Sequence, residues 1–148
     1  MNCMSDELFF DTNIIVYAYD SSEPVKQNVC VQFLTKVYEK GIAGVISNQV
    51  LGEVFKGLTE NIEKPISIED AKLIIENMVN SDRWLKINYD HETIKKAISI
   101  VKLTKVSFWD AVIAETMKEN GIDKIITENE KDFQKIPGLK IINPFRQK

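Results

Sequence analysis

Histidine is almost missing from this chain: His91 is the only one in 148 residues, and cysteine occurs twice, as Cys3 and Cys30. One histidine excludes Ser-His-Asp and Cys-His nucleophilic chemistry in its usual form and leaves a zinc ion few ligands. Two cysteines without C-x-x-C spacing make neither a disulfide framework nor a zinc site, which fits a reduced, cytoplasmic protein. Six glycines and four prolines are too few for collagen-like or low-complexity material. Positive charge is not in excess. Nineteen Lys plus Arg against 22 Asp plus Glu leave a formal net charge of −3, which disfavours a nucleic-acid binder driven by bulk charge but leaves a local basic face open. Long apolar runs are absent too. The first residues are acidic where an export signal needs positive charge, and Asp11 and Asn13 break the apolar stretch behind them. Neither an export signal nor a membrane span is expected. No G-x-x-x-x-G-K-[ST] or G-x-G-x-x-G occurs, so nucleotide-loop classes fall away.

What remains is an ordinary folding composition, 44% hydrophobic and 28% charged, which argues against disorder. A chain of this length buries roughly 68–70% of its unfolded surface, so residues 1–148 read as a single domain. Short apolar runs at Leu8-Phe9-Phe10, Ala43-Gly44-Val45-Ile46, Trp84 to Ile87, Lys124 to Thr127 and Leu139 to Ile142 read as strands. Between them lie helical spacings. Pro24 opens one that Gly41 stops, and Ser47 caps another bearing Val50, Leu51, Val54, Phe55 and Leu58. Ser67 begins a capping box, Asp90 caps the stripe Ile94, Ala97, Ile98 and Val101, and Ser107 caps the segment ending before Gly121. Strands lacking polar alternation and separated by helices imply an α/β fold, a small parallel sheet with helices on both faces.

In such sheets ligands sit beyond the carboxyl ends of the strands, and acids gather there. Asp11 follows the first strand, with Asn13 two residues on, and the polar turn after Thr127 carries Glu128, Asn129, Glu130 and Asp132. Asp110 lies in the first turn of its helix, on the same side as Ile113, Ala114 and Met117. Glu53 borders the apolar stripe of its helix, and Gly57 one turn later leaves space beside it. Each has a bland reading: a turn residue for Asp11, a dipole partner for Asp110, a solvated side chain for Glu53. Together in one cleft they would repel and raise one another's pKa values. A divalent cation removes that repulsion, and oxygen donors without His or Cys suit Mg²⁺ or Mn²⁺ and phosphoryl chemistry.

Four stretches then add up. Phe10-Asp11-Thr12-Asn13-Ile14, Ser47 through Gly52-Glu53, Ser107-Phe108-Trp109-Asp110-Ala111-Val112-Ile113-Ala114, and Thr127 through Asp132-Phe133 to Ile136-Pro137-Gly138 resemble the PIN-domain ribonucleases. The likeness is greatest to the VapC-type toxins of type II toxin–antitoxin pairs, and it covers essentially the whole chain. The resemblance implies a metal-dependent endoribonuclease, with Mg²⁺ or Mn²⁺ held by Asp11, Glu53 and Asp110, and with Asn13 and Thr127 supporting the site. Where the family often has an Asp, this chain has Asn129; a second ion then depends on Asn129 and Asp132, or on Glu128. A metal-activated water would attack the RNA phosphodiester and leave a 5′-phosphate and a 3′-hydroxyl. The resemblance also implies a homodimer and a cognate VapB-type antitoxin whose tail enters the acidic groove.

Lys95, Lys96, Lys102 and Lys105 read first as a solvated helix face and second as RNA guides. Phe108 and Trp109 read first as core and second as base-stacking rings. Phe33, Val37, Ile74 and Met78 read as core ahead of a partner surface. Two other functions compete. A catalytically weak PIN-like binding or scaffold module would keep the fold without cleavage. A Mg-dependent phosphotransfer domain would want D-x-D after the first strand, where Asp11-Thr12-Asn13 lacks the second acid.

Overall fold

The five apolar runs pair into one parallel sheet whose order reverses once. The computed structural model describes residues 7–146, so Cys3 and the rest of residues 1–6 lie outside the described residues. The strands are β1 (Glu7–Phe10), β2 (Ala43–Ser47), β3 (Trp84–Ile87), β4 (Lys124–Ile126) and β5 (Lys140–Ile142). They lie in the order β3-β2-β1-β4-β5 and every pairing is parallel. The helices are α1 (Thr12–Tyr17), α2 (Pro24–Tyr38), α3 (Asn48–Lys56), α4 (Ile68–Asn80), α5 (His91–Thr104), α6 (Phe108–Glu119) and α7 (Glu130–Phe133). The chain winds outward from β1 to β3, then crosses back to β4. Right-handed crossovers therefore put α1 to α4 on one face and α5 with α6 on the other. The helix contacts fall into the same two groups. The α/β reading of the sequence holds.

Local chemistry accounts for most boundaries. Ser47 accepts from the Val50 amide at 3.2 Å and Ser67 from the Asp70 amide at 3.1 Å, each satisfying a free donor of a helix start. Asp90 and Thr93 form a reciprocal capping box. Gly121, at φ +71°, lets the chain leave α6. Three details differ from the sequence expectation. Helix α3 stops at Lys56 and continues as a wider π-helical turn, Gly57–Asn61. Residues Glu130–Phe133, expected as a polar turn, close one helical turn. Ser107 stands at the cap position of α6 but makes no capping hydrogen bond to the helix.

The core centres on Phe9, Phe10 and Trp84, all nearly solvent-free, and each such side chain contributes about 1.5–3 kcal/mol by leaving water. Trp84 meets Phe10 edge-on at 5.1 Å and donates from its indole nitrogen to the Tyr38 hydroxyl at 3.0 Å. Gly44 makes room for it: the two residues are register partners, and a Cβ at Gly44 would lie 2.7 Å from the indole. Val37 and Met78 belong to this core, with Phe33 and Ile74 half-buried against it, as expected. Residues 111 to 117 of α6 are buried on every side, because α5 and α7 both pack on that helix. Cys30 is a buried free thiol, and burial pushes it up to about 12. Among the described residues, no helix is long and apolar enough to cross a membrane.

Candidate active site

The reversal of strand order opens a crevice between β1 and β4, at the carboxyl ends of both strands. Asp11 leaves β1 there, its amide donating to the Ile126 carbonyl at 3.1 Å, and Thr127 leaves β4. Helix α3 delivers Glu53 from one face of the sheet, and the first turn of α6 delivers Asp110 from the other. The connection after β4 adds Asn129, and α7 adds Asp132.

Thr127 organises one side. Its fully buried hydroxyl donates to Asp11 Oδ2 at 2.7 Å and accepts from the Asn129 amide at 2.9 Å and from Asn13 Nδ2 at 3.4 Å. A hydroxyl has one donor and two acceptor positions, and all three are used. Asp11, 5% exposed, also accepts from the Thr12 amide at 2.8 Å and from Asn13 Nδ2 at 3.2 Å. The other side is tied through Glu53. Thr12 Oγ1 donates to Glu53 Oε1 at 2.6 Å, and Gln49 Nε2 donates to Glu53 Oε2 and to the Trp109 carbonyl, both at 3.1 Å. Asn129 Nδ2 donates to Asp110 Oδ2 at 2.8 Å and to Asp132 Oδ2 at 3.2 Å.

The carboxylates feel one another. Burial raises Asp11 to about 6; the Thr127 and Thr12 hydrogen bonds pull it down, and the charges of Asp110 and Glu53 push it further up. Burial likewise raises Asp110, opposed by a hydrogen bond with Ser107 and reinforced by the charges of Asp132 and Glu53. The Ser107 hydroxyl thus serves this carboxylate rather than the helix backbone. Among the described residues, Asp11, Glu53 and Asp110 have no ion-pair partner; Asp132 has Lys135 at 3.9 Å.

A hard divalent cation fits that donor set: oxygen ligands only, negative charge in excess, and no counter-charge on three of the four acids. Among the described residues, no three His, Cys, Asp or Glu side chains stand close enough to hold an ion by themselves. Waters would complete the shell, which is how magnesium is commonly bound.

A family model described as PIN domain matches residues 8–139, which includes every one of these side chains. The chain belongs to the PIN-domain family. No curated protein matches its sequence significantly. Among solved structures it is similar to a toxin–antitoxin complex from Klebsiella pneumoniae, at 20% identity and TM-score 0.66, over 95% of this chain and 99% of that one. It is also similar to VapC20 of Mycobacterium tuberculosis, a sarcin-ricin loop cleaving toxin, at 16% identity and TM-score 0.61 over 80% and 86%. DNA-bound VapBC from Salmonella typhimurium gives 20% identity and TM-score 0.64 over 95% and 99%.

Within this PIN domain, Asp11, Asn13, Thr127, Asn129, Asp110 and Asp132 share one hydrogen-bond network, and Glu53 joins through Thr12, the neighbour of Asp11. Glu128 does not. Its carboxylate takes an ion pair from Lys26 and a 2.6 Å hydrogen bond from the Tyr17 hydroxyl. Burial works to raise Glu128, but the Lys26 and Tyr17 hydrogen bonds outweigh it and hold its pKa below the usual range. The expectation that it compensates for Asn129 is therefore overturned; Asp132 is the extra acid that Asn129 contacts. Gly57 faces Val16 of α1. A Cβ there would lie 2.9 Å from Val16 Cγ2, so the glycine permits close packing of the π-helical turn on α1. Trp109 is 48% exposed, against the core reading, whereas Phe108 packs half-buried on the core. The four lysines of the α5 region are all exposed; Lys95 pairs with Glu92 at 3.3 Å and Lys96 with Glu119 at 3.9 Å.

Sequence reasoning gave Gln49 and Thr12 no role. The signal for Gln49 was its place four residues before Glu53 on one helix, the spacing at which side chains meet.

Proposed function

We propose that this PIN domain is a Mg²⁺- or Mn²⁺-dependent endoribonuclease acting as the toxin of a toxin–antitoxin pair. The observation that carries this reading is a cluster of carboxylates without counter-charge at the strand-order reversal of a PIN fold. Asp11, Asp110 and Glu53 would hold the ion together with waters that bridge the distance between them, with Asp132 able to add a further oxygen. Bound there, such an ion supplies a Lewis acid for phosphate oxygens and lowers the pKa of a bound water. The protein's own part is orientation. Thr127 and Asn13 fix the Asp11 carboxylate, Thr12 and Gln49 fix Glu53, and Asn129 fixes Asp110. In the overall reaction, water oxygen bonds to phosphorus as the bond to the 3′ oxygen breaks, leaving a 5′-phosphate and a 3′-hydroxyl.

The toxin assignment draws support from the relatives, several of which are toxins in complex with antitoxins. By the same reasoning, a second copy of the chain and a cognate antitoxin are the partners we assign. The test is cleavage of total RNA by purified protein with Mg²⁺ or Mn²⁺. Cleavage should vanish with chelator and in Asp11→Asn, and expression should arrest growth unless Asp11 is replaced. A variant Asp11→Asn that cuts as fast as wild type would remove the metal-site assignment. A wild-type protein that cuts nothing under any divalent ion would favour the scaffold reading.

A further inference from the structure

We propose that the exposed ring of Trp109 is a stacking platform for an unpaired nucleobase of the RNA, beside the phosphodiester that is cut. The proposal rests on the nuclease reading above and names the feature of the substrate that reading leaves open. Trp109 directly precedes Asp110 in the first turn of α6, and its backbone carbonyl shares Gln49 Nε2 with Glu53, which puts the residue beside the acidic site. It is 48% exposed, while the other tryptophan, Trp84, is 2% exposed.

The ring is held in place. The backbone beneath it is fixed, the Trp109 carbonyl accepting from Gln49 Nε2, which also donates to Glu53. Phe108 meets it edge-on at 4.9 Å and Tyr89 at 6.1 Å, and both of these rings are half-buried. Tyr89 is fixed in turn by Asn48, whose side chain accepts from the Tyr89 amide at 3.1 Å and donates to its carbonyl at 3.5 Å. Neighbouring residues at the start of α3, Asn48 and Gln49, thereby fix the backbone that carries each ring, and Gln49 couples Trp109 to Glu53. An aromatic ledge of this kind loses little freedom when a base lands on it. Every base presents a π-face, and unpaired bases are the ones free to stack. With a net charge of −3, bulk attraction for phosphate is small, and neutral stacking has more of the affinity to supply.

The test uses the full chain as Asp11→Asn with Mn²⁺, so that the probe stays intact. The probes are a 12-nucleotide oligoadenylate and an abasic phosphodiester chain of equal length. Trp84 is shielded, so quenchable tryptophan fluorescence reports Trp109. Oligoadenylate should quench it and the abasic chain should not. Adding Trp109→Leu should weaken oligoadenylate binding about tenfold and leave the abasic chain unaffected, while Trp109→Phe should retain most of the binding. Equal binding of the two probes to the unaltered ring overturns the platform, even if Trp109→Leu fails to fold. So does unchanged oligoadenylate binding by Trp109→Leu accompanied by a shift between monomer and dimer, which would assign the ring to a contact between copies. These outcomes leave nuclease action untouched; only loss of cleavage by the wild-type protein with Mg²⁺ or Mn²⁺ removes that.

Discussion

The side-chain nitrogen of Asn129 donates to Asp110 Oδ2 at 2.8 Å, and the same nitrogen reaches Asp132 Oδ2 at 3.2 Å. A neutral amide thus sits between two acids where a third carboxylate would repel both. Asp110 is already raised by burial and by the charge of Asp132, and the Asn129 hydrogen bond opposes that rise. Asn129→Asp removes the donor and adds a charge. Without divalent ions the variant should lose about 1–3 kcal/mol, the cost of unpairing a partly buried polar group. Its thermal midpoint should then rise more on addition of Mn²⁺ than that of wild type does. Identical midpoints in chelator would show that the amide is not holding the two acids together.

Thr127 offers a second, independent handle. Thr127→Val keeps the shape but deletes the donor to buried Asp11 and the acceptor for the Asn129 amide. A hydrogen bond to a charged group contributes about 1.5–3 kcal/mol, so the urea midpoint should fall accordingly and cleavage with it. Thr127→Ser keeps the hydroxyl and should retain most of both. A serine variant as damaged as the valine one would point to the methyl group instead.

These two positions also show how far sequence reasoning reaches. Asp11 and Thr127 are legible because both follow apolar strands, and strand ends are where a parallel sheet places its site. Asp132 is legible as an acid near Asn129. Glu128 is equally close to the strand end, yet Lys26, 102 residues away, claims its carboxylate. Half of the Gln49 role is local, its spacing to Glu53, but its second partner, the Trp109 carbonyl, is a backbone atom 60 residues away. Trp109 departs from the core expectation for a general reason: hydrophobicity argues for burial, and nothing local tells a buried tryptophan from an exposed one. The turn 130–133 is too short for periodicity to reveal as helix.

The fold itself makes a sharper claim at Gly44. A Cβ there would lie 2.7 and 2.9 Å from two indole carbons of Trp84 and 3.0 Å from Val37 Cγ1. Trp84 is confined by Phe10 and Tyr38 and cannot retreat freely. Gly44→Ala should therefore destabilise by about 1–3 kcal/mol, the usual cost of overpacking. Chemical denaturation of the metal-free protein measures it. A variant as stable as wild type would mean that β2 and β3 are less tightly packed than described.

Glu115, buried on α6, gives a pH dependence separate from the candidate active site. Burial raises its pKa, and a hydrogen bond with Glu119 and the charge of that residue raise it further, against the opposing charges of Lys118 and Lys96. Glu119 is meanwhile fixed by the Thr93 hydroxyl at 2.7 Å. An acid whose folded-state pKa exceeds its unfolded value favours folding fully below the unfolded value. That contribution is lost as pH climbs through the folded one. Glu115→Gln keeps a donor for Glu119 and carries no charge to expel. Its melting temperature should exceed that of wild type by about 2–4 °C at pH 8, and the gap should close by pH 4. Equal gaps at both ends would mean that the proton on Glu115 contributes nothing to stability, and the pairing with Glu119 would have to be discarded.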